Sequence, residues 1–96
     1  MTYYYPAVIT KKEKGGYRVD VIDLEGCYGE GADLEDALEN ARYAGVNWLL
    51  AESEDQSDFP MQTHLDDIRL KPGQKATMLA FLMPREGWEE RALSSE

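Results

Sequence analysis

The sequence predicts an α+β domain, a two-layer β-β-β-α-β sandwich. Three observations lead there. Apolar and polar residues alternate with period two in the first third of the chain. A helical-period apolar stripe then runs from residue 33 to residue 51. A mostly apolar run, Ala76 to Met83, follows and returns the chain to the sheet. The chain has 96 residues, room for one core and no second.

Tyr3 to Thr10 is rich in Tyr, Val, Ile and Thr and predicts the first strand. Pro6 has no N–H to donate, which points to an edge strand or a bulge there. Lys11-Lys12-Glu13-Lys14-Gly15-Gly16 reads as a hairpin loop. Tyr17, Val19 and Val21 alternate with Arg18 and Asp20, a second strand with one wet face on which Asp20 stands. Asp23-Leu24-Glu25-Gly26 reads as a turn. Cys27 to Gly31 reads as a short third strand, whose two glycines imply a bulge or a close backbone approach.

Leu34, Ala37, Leu38, Ala41, Gly45, Trp48 and Leu49 fall on one helical face. Asp33 suits the N-cap, and Asp36 stands three residues on, as in a capping box. From Asp33 to Ala51 such a helix runs ~28 Å. Gly45 lies on the stripe and implies close approach to the sheet. Glu52 to Asp58 reads as a frayed end and loop, and Phe59-Pro60-Met61 as an extended piece crossing the sheet edge. His64 to Leu70 fits a helical turn or irregular chain equally, and Pro72-Gly73 is a turn. Ala76 to Met83 lacks alternation and predicts a fourth strand buried on both faces. Residues 1–84 then form the domain, and 85–96 a polar tail, helical and loose or docked on a partner.

Lysine and arginine total 10 against 19 Asp and Glu, a net charge of −9. Residues 33 to 58 hold eight acids against one base, Arg42. Such a chain is repelled by phosphate backbones and anionic lipid and favours a basic protein partner. Solubility alone explains the same excess equally well. No apolar run approaches the roughly 20 residues of a membrane helix. The N-terminus lacks the basic-then-apolar pattern of a secretory signal. A single cysteine, Cys27, cannot form an internal disulfide and fits a reducing compartment, most simply cytoplasm.

Four segments together carry a resemblance. They are Tyr5-Pro6-Ala7-Val8-Ile9, then Gly16-Tyr17-x-Val19, then Asp23-Leu24-x-Gly26-Cys27, and last Gly31-x-Asp33-Leu34-Glu35-Asp36-Ala37-Leu38-Glu39-Asn40-Ala41. In this order and separation they resemble the HicB-type antitoxin family over roughly residues 4 to 50, with a looser match at Phe59-Pro60 and the last strand. The resemblance implies a truncated ribonuclease H-like fold. It also implies a cytoplasmic antitoxin that binds a small basic HicA-type toxin, a ribonuclease resembling double-stranded-RNA-binding domains, and blocks its catalytic histidine. Read physically, the same motif is mostly scaffold. Leu24 and Cys27 anchor a tight turn made possible by Gly26, and Asn40 ties the helix to a strand. Family members usually continue into a C-terminal DNA-binding unit. Thirteen residues after Met83, with two bases against four acids from Arg85 to Glu96, are too few and too acidic for one, so direct DNA binding is not expected. The Lys11-Lys12-Lys14 cluster reads as a solvated hairpin tip.

No catalytic, metal or cofactor site is expected. Asp20, Asp23, Glu25 and Glu30 lie close in sequence, but no late strand carboxylate completes a metal set. His64 has only Asp66 and Asp67 nearby. Cys27 has no candidate base. The expected function is inhibition by masking, with Asp20, Asp23, Glu25, Tyr28, Glu30 and Asp33 as the toxin-binding surface, and Tyr17 and Tyr28 as aromatic anchors beside the acids. The second reading is a stand-alone oligomeric binding module without a toxin, pairing through an open edge on the first strand and burying Trp88 on another subunit.

Overall fold

The computed structural model describes residues 2–54 and 59–83. The elements follow in the predicted order: β1 (Thr2–Lys11), β2 (Tyr17–Val21), β3 (Tyr28–Gly31), α1 (Leu34–Glu54) and β4 (Gln74–Leu82). All strands pair antiparallel in the order β3-β2-β1-β4. α1 covers one face of this sheet, giving the two layers the sequence predicts. The proposed tail, with Trp88, lies outside the described residues.

The sheet order corrects the reading of β1. It is central, paired with β2 from Ala7 to Lys11 and with β4 from Thr2 to Thr10. Pro6 is tolerated because β2 ends at Val21, opposite Ala7, so Pro6 stands one residue beyond that ladder. β4 is also corrected. It is an edge strand with one inward face, where Leu79 and Phe81 are buried while Leu82 is 73% exposed. An uninterrupted apolar run therefore marks an edge here, not a doubly covered strand.

The core joins inward residues of all layers, among them Tyr5, Val19, Val21, Ala41, Leu49 and Phe81. Its tightest contact lies where α1 crosses β3. A Cβ on Gly29 would meet the backbone at Asn40 C (2.7 Å) and Ala37 O (2.8 Å) and would strike the Ala41 amide nitrogen. One on Gly31 would lie 2.5 Å from the Ala37 nitrogen. The glycines of β3 thus exist for close approach, and the helix backbone rests directly on the strand. Farther along, the Phe81 ring of β4 occupies the space a Gly45 side chain would need.

Side chains lock this crossing. The Asn40 Nδ2 donates to the Glu30 carbonyl at 2.7 Å, the helix-to-strand tie expected of it. Trp48 Nε1 donates to the Glu25 carbonyl at 3.0 Å. Between β2 and β3 the Leu24 N–H bonds the Val21 carbonyl and the Cys27 N–H bonds the Leu24 carbonyl. Gly26 takes φ +76°, and Leu24 and Cys27 are buried on either side of it.

The segment from Phe59 wraps the end of the sheet. Phe59 meets Tyr3 edge-on at 4.9 Å, and the Tyr5 hydroxyl donates to the Pro60 carbonyl at 2.7 Å. Gln62 Nε2 donates to the Tyr4 carbonyl. A single 3₁₀ turn, Leu65–Asp67, then settles near β4, and residues 68–70 are irregular.

Candidate functional site

The sheet face turned away from α1 is set by strand alternation. On β2 it carries Arg18 and Asp20; on β3 it carries Tyr28 and Glu30. Register places Asp20 opposite Tyr28 and Arg18 opposite Glu30. The Arg18 Nε donates to Asp20 Oδ1 at 3.0 Å and Oδ2 at 3.2 Å. Its guanidinium carbon stands 3.9 Å above the centre of the Tyr28 ring, a cation–π stack. Lys12, from the β1–β2 hairpin, meets Glu30 Oε2 at 2.7 Å. That hydrogen bond and charge hold the Glu30 carboxyl below the usual carboxylate range, with Arg18 adding to the effect. An open depression beside this cluster is lined by Asp20, Ile22, Glu25 and Tyr28 among others.

The six expected binding residues therefore divide. Asp20, Tyr28 and Glu30 gather on one face, and Glu25 stands exposed at its margin. Asp23 and Asp33 have internal tasks. Asp23 accepts from the Thr63 N–H at 2.8 Å and from the Thr63 hydroxyl at 2.6 Å, pinning the wrapping segment to the β2–β3 turn. Asp33 Oδ1 accepts the Asp36 N–H at 2.9 Å and caps α1. Tyr17 pairs with Gly31 on the helix side and packs against the core, so it is no outward anchor. Arg18 is the residue that sequence reasoning passed over. Its signal was available: two residues from Asp20 on one strand, it shares that wet face.

The face is not an acidic surface in net terms, since Asp20 is paired with Arg18 and Glu30 with Lys12. Among the described residues Glu35 and Asp36, the acids in the first turn of α1, form no ion pair. Asp20, Asp23, Glu25 and Glu30 do not converge. Among the described residues no three His, Cys, Asp or Glu side chains gather as a metal set. His64 precedes the 3₁₀ turn in an exposed stretch beside Asp66 and Met78.

Cys27 is buried, and its thiol is pushed up to about 11 by that burial, with the Asp20 charge adding to it. An unfolded thiol ionises first as pH rises, so the stability this burial provides is complete below the unfolded pKa and is lost as pH climbs toward 11. Native alkylation by iodoacetamide at pH 8 is expected to run roughly 100-fold slower than in urea from ionisation alone. Equal rates in both states, followed by mass spectrometry, would contradict the buried placement.

Asp23→Ala removes a charged acceptor from two hydrogen bonds and is expected to cost about 1.5–3 kcal/mol per bond at most. Urea unfolding reads the loss, and the Thr63 amide should lose its exchange protection. Retained protection at Thr63 would sink the assignment.

No helix of the described residues is long and apolar enough to cross a membrane. No curated protein sequence matches the chain. Solved structures do. The N-terminal domain of the Burkholderia pseudomallei antitoxin HicB superposes with TM-score 0.70 at 23% identity, covering 80% of this chain and 95% of that one. A chain of a HicA3 and HicB3 toxin–antitoxin complex gives 0.60 at 24% identity, with the same two coverages. A chain of a toxin–antitoxin complex from Streptococcus pneumoniae gives 0.66 at 14% identity, covering 99% of this chain and 89% of that one. These likenesses establish the fold, the architecture of HicB N-terminal domains. A family model, the HicB-like antitoxin of bacterial toxin–antitoxin systems, matches residues 5–83, and the chain belongs to that family.

Proposed function

We propose that the chain is a non-catalytic antitoxin that binds a small basic ribonuclease of the HicA type and covers its RNA path. The observation that carries the reading is the Arg18–Tyr28 stack braced by Asp20, on the outward side of the sheet of an antitoxin-family domain. The HicA3–HicB3 complex among the similar structures supports a toxin as the partner class.

The charge distribution divides the work. Glu35 and Asp36, without an ion pair among the described residues, put negative charge at the start of α1, which raises the encounter rate with a basic protein. The sheet face supplies the contact. Tyr28 is 45% exposed and already held by Arg18, so it loses little rotamer freedom on docking. Aromatic and arginine side chains of this kind are the usual energetic centres of interfaces. Asp20, Glu25 and Glu30 surround them and set the register of a basic partner. The acidic balance gives no footing on a DNA backbone, and repression of transcription is not part of the proposed role.

The test is a tagged pull-down of the full chain from its source cells at low salt. A stoichiometric basic protein of under about a hundred residues, with ribonuclease activity when freed, is the expected partner, its salt-sensitive capture reflecting steering. Recovery of the chain alone, with neighbouring proteins well expressed, overturns the reading and moves weight to the stand-alone module.

A further inference from the structure

The two edges of the sheet are unequal. β3 is four residues long, contains two glycines and carries Glu30, already held by Lys12. It is a short, guarded edge. β4 is nine residues long and contains neither Pro nor Gly. From Ala76 to Leu82 it bears no charge. A long uncharged edge lacking these devices is a template for another strand.

The surface beside that edge is also unfinished. Tyr43 and Val46 of α1 share a groove with Ala80 and Leu82 of β4. Tyr43 and Leu82 are each 73% exposed. Apolar side chains therefore continue the open edge across to the helix layer. The order β3-β2-β1-β4 puts this groove at the opposite side of the sheet from Tyr28.

We infer that β4 is a self-association surface, on which two copies pair antiparallel about Met78 and join their sheets into one. Met78 is the midpoint of Gln74–Leu82. A two-fold axis there sets Met78 against Met78, Ala76 against Ala80, Thr77 against Leu79 and Lys75 against Phe81. Every such pair joins residues of the same face, so both helices end on one side of the joined sheet. The registry has no facial conflict along the strand.

Charge selects a second copy as the occupant. The register with β1 puts Lys75 on the helix side of the sheet, with Leu79 and Phe81. It has no ion pair among the described residues. Glu39 lines the groove at the Leu82 end, and its bond to Arg42 uses Oε1. Antiparallel pairing brings Lys75 of each copy to the Glu39 end of the other, so the contact forms twice. Two chains of net charge −9 repel over most of their surface. The β4 edge from Ala76 to Leu82 adds no charge to that repulsion.

The test uses the full chain. Light scattering after size exclusion is expected to give a dimer. Met78→Cys is expected to form an intermolecular disulfide on mild oxidation, because residues opposed across an antiparallel pair lie about 4.5–5.5 Å apart, within disulfide reach. Lys14→Cys, exposed in the β1–β2 hairpin and away from the β4 edge, should not. Met78→Lys sets like charges face to face and should weaken the dimer at least about tenfold. Circular dichroism establishes that it folds, and the cysteine pair stands independently of that variant. A monomer at about 100 µM overturns the inference. So does a dimer that resists Met78→Lys and does not cross-link through Met78→Cys. Cross-linking of Met78→Cys to a basic ribonuclease in place of its own copy also overturns it, and identifies β4 as a toxin strand site.

Discussion

Gly29→Ala is expected to unfold the domain or cost more than about 3 kcal/mol, above the usual range for an overpacked core. The added methyl meets the helix backbone at Ala37, Asn40 and Ala41, which cannot rotate away as a side chain can. Relief requires α1 to lift from β3. That movement also strains the Asn40 bond to the Glu30 carbonyl. A domain of this size has only about 5–15 kcal/mol of total stability, so the loss is a large share. Gly15→Ala is the control. Its Cβ would meet nothing within 4 Å, and only the left-handed φ of +97° is penalised, by about 1–2 kcal/mol. Urea midpoints of the two variants compare the effects directly. Equal midpoints would mean that α1 does not lie on β3 as described.

Tyr28→Ala is expected to weaken partner binding by at least about 2 kcal/mol, near thirtyfold, through faster dissociation. The loss comes from the ring itself and from the Arg18 guanidinium, left without its platform. Arg18→Ala should act in the same direction and leave Tyr28 mobile. Glu35→Lys with Asp36→Lys should behave differently. It should slow association, reduce the salt dependence and leave dissociation nearly unchanged. Reversing Asp20 and Glu30 together should disturb both rates, because each holds a base of the face in place. Surface plasmon resonance at two salt concentrations separates these outcomes. If Tyr28→Ala dissociates as slowly as the parent chain, the partner does not rest on this face.

Much of this architecture was legible in the residues, and the failures have physical causes. α1 was readable because seven apolar positions hold one period and Asp33 supplies a cap that the structure shows in use. The glycines of β3 implied a bulge or a close approach, and the structure shows the close approach. Pro6 misled because a missing donor matters only where a ladder needs it, and sheet order decides that. The run Ala76–Met83 misled because edge and central strands differ in neighbours, which composition does not encode.

The site was legible in part for a related reason. Alternation placed Asp20 on the wet face, and pairing then brought Tyr28 and Glu30 beside it. The same alternation places Arg18 there, though an acidic total draws attention away from a lone base. Asp23 looked like a surface acid because its partner is not evident locally, and Asp33, although read as the N-cap of α1, was counted with the surface acids as well. The Thr63 contact spans forty residues of sequence, and a cap consumes a carboxylate without changing its exposure.

RNA cleavage by the small basic ribonuclease expected to copurify with the chain, titrated with purified chain, tests the antitoxin role most directly. The proposed masking predicts that cleavage falls in proportion to added chain and ends near one equivalent, with Tyr28→Ala shifting the curve to higher concentration. Undiminished cleavage at about a tenfold excess of folded chain, well above the dissociation constant of a specific complex, would contradict it.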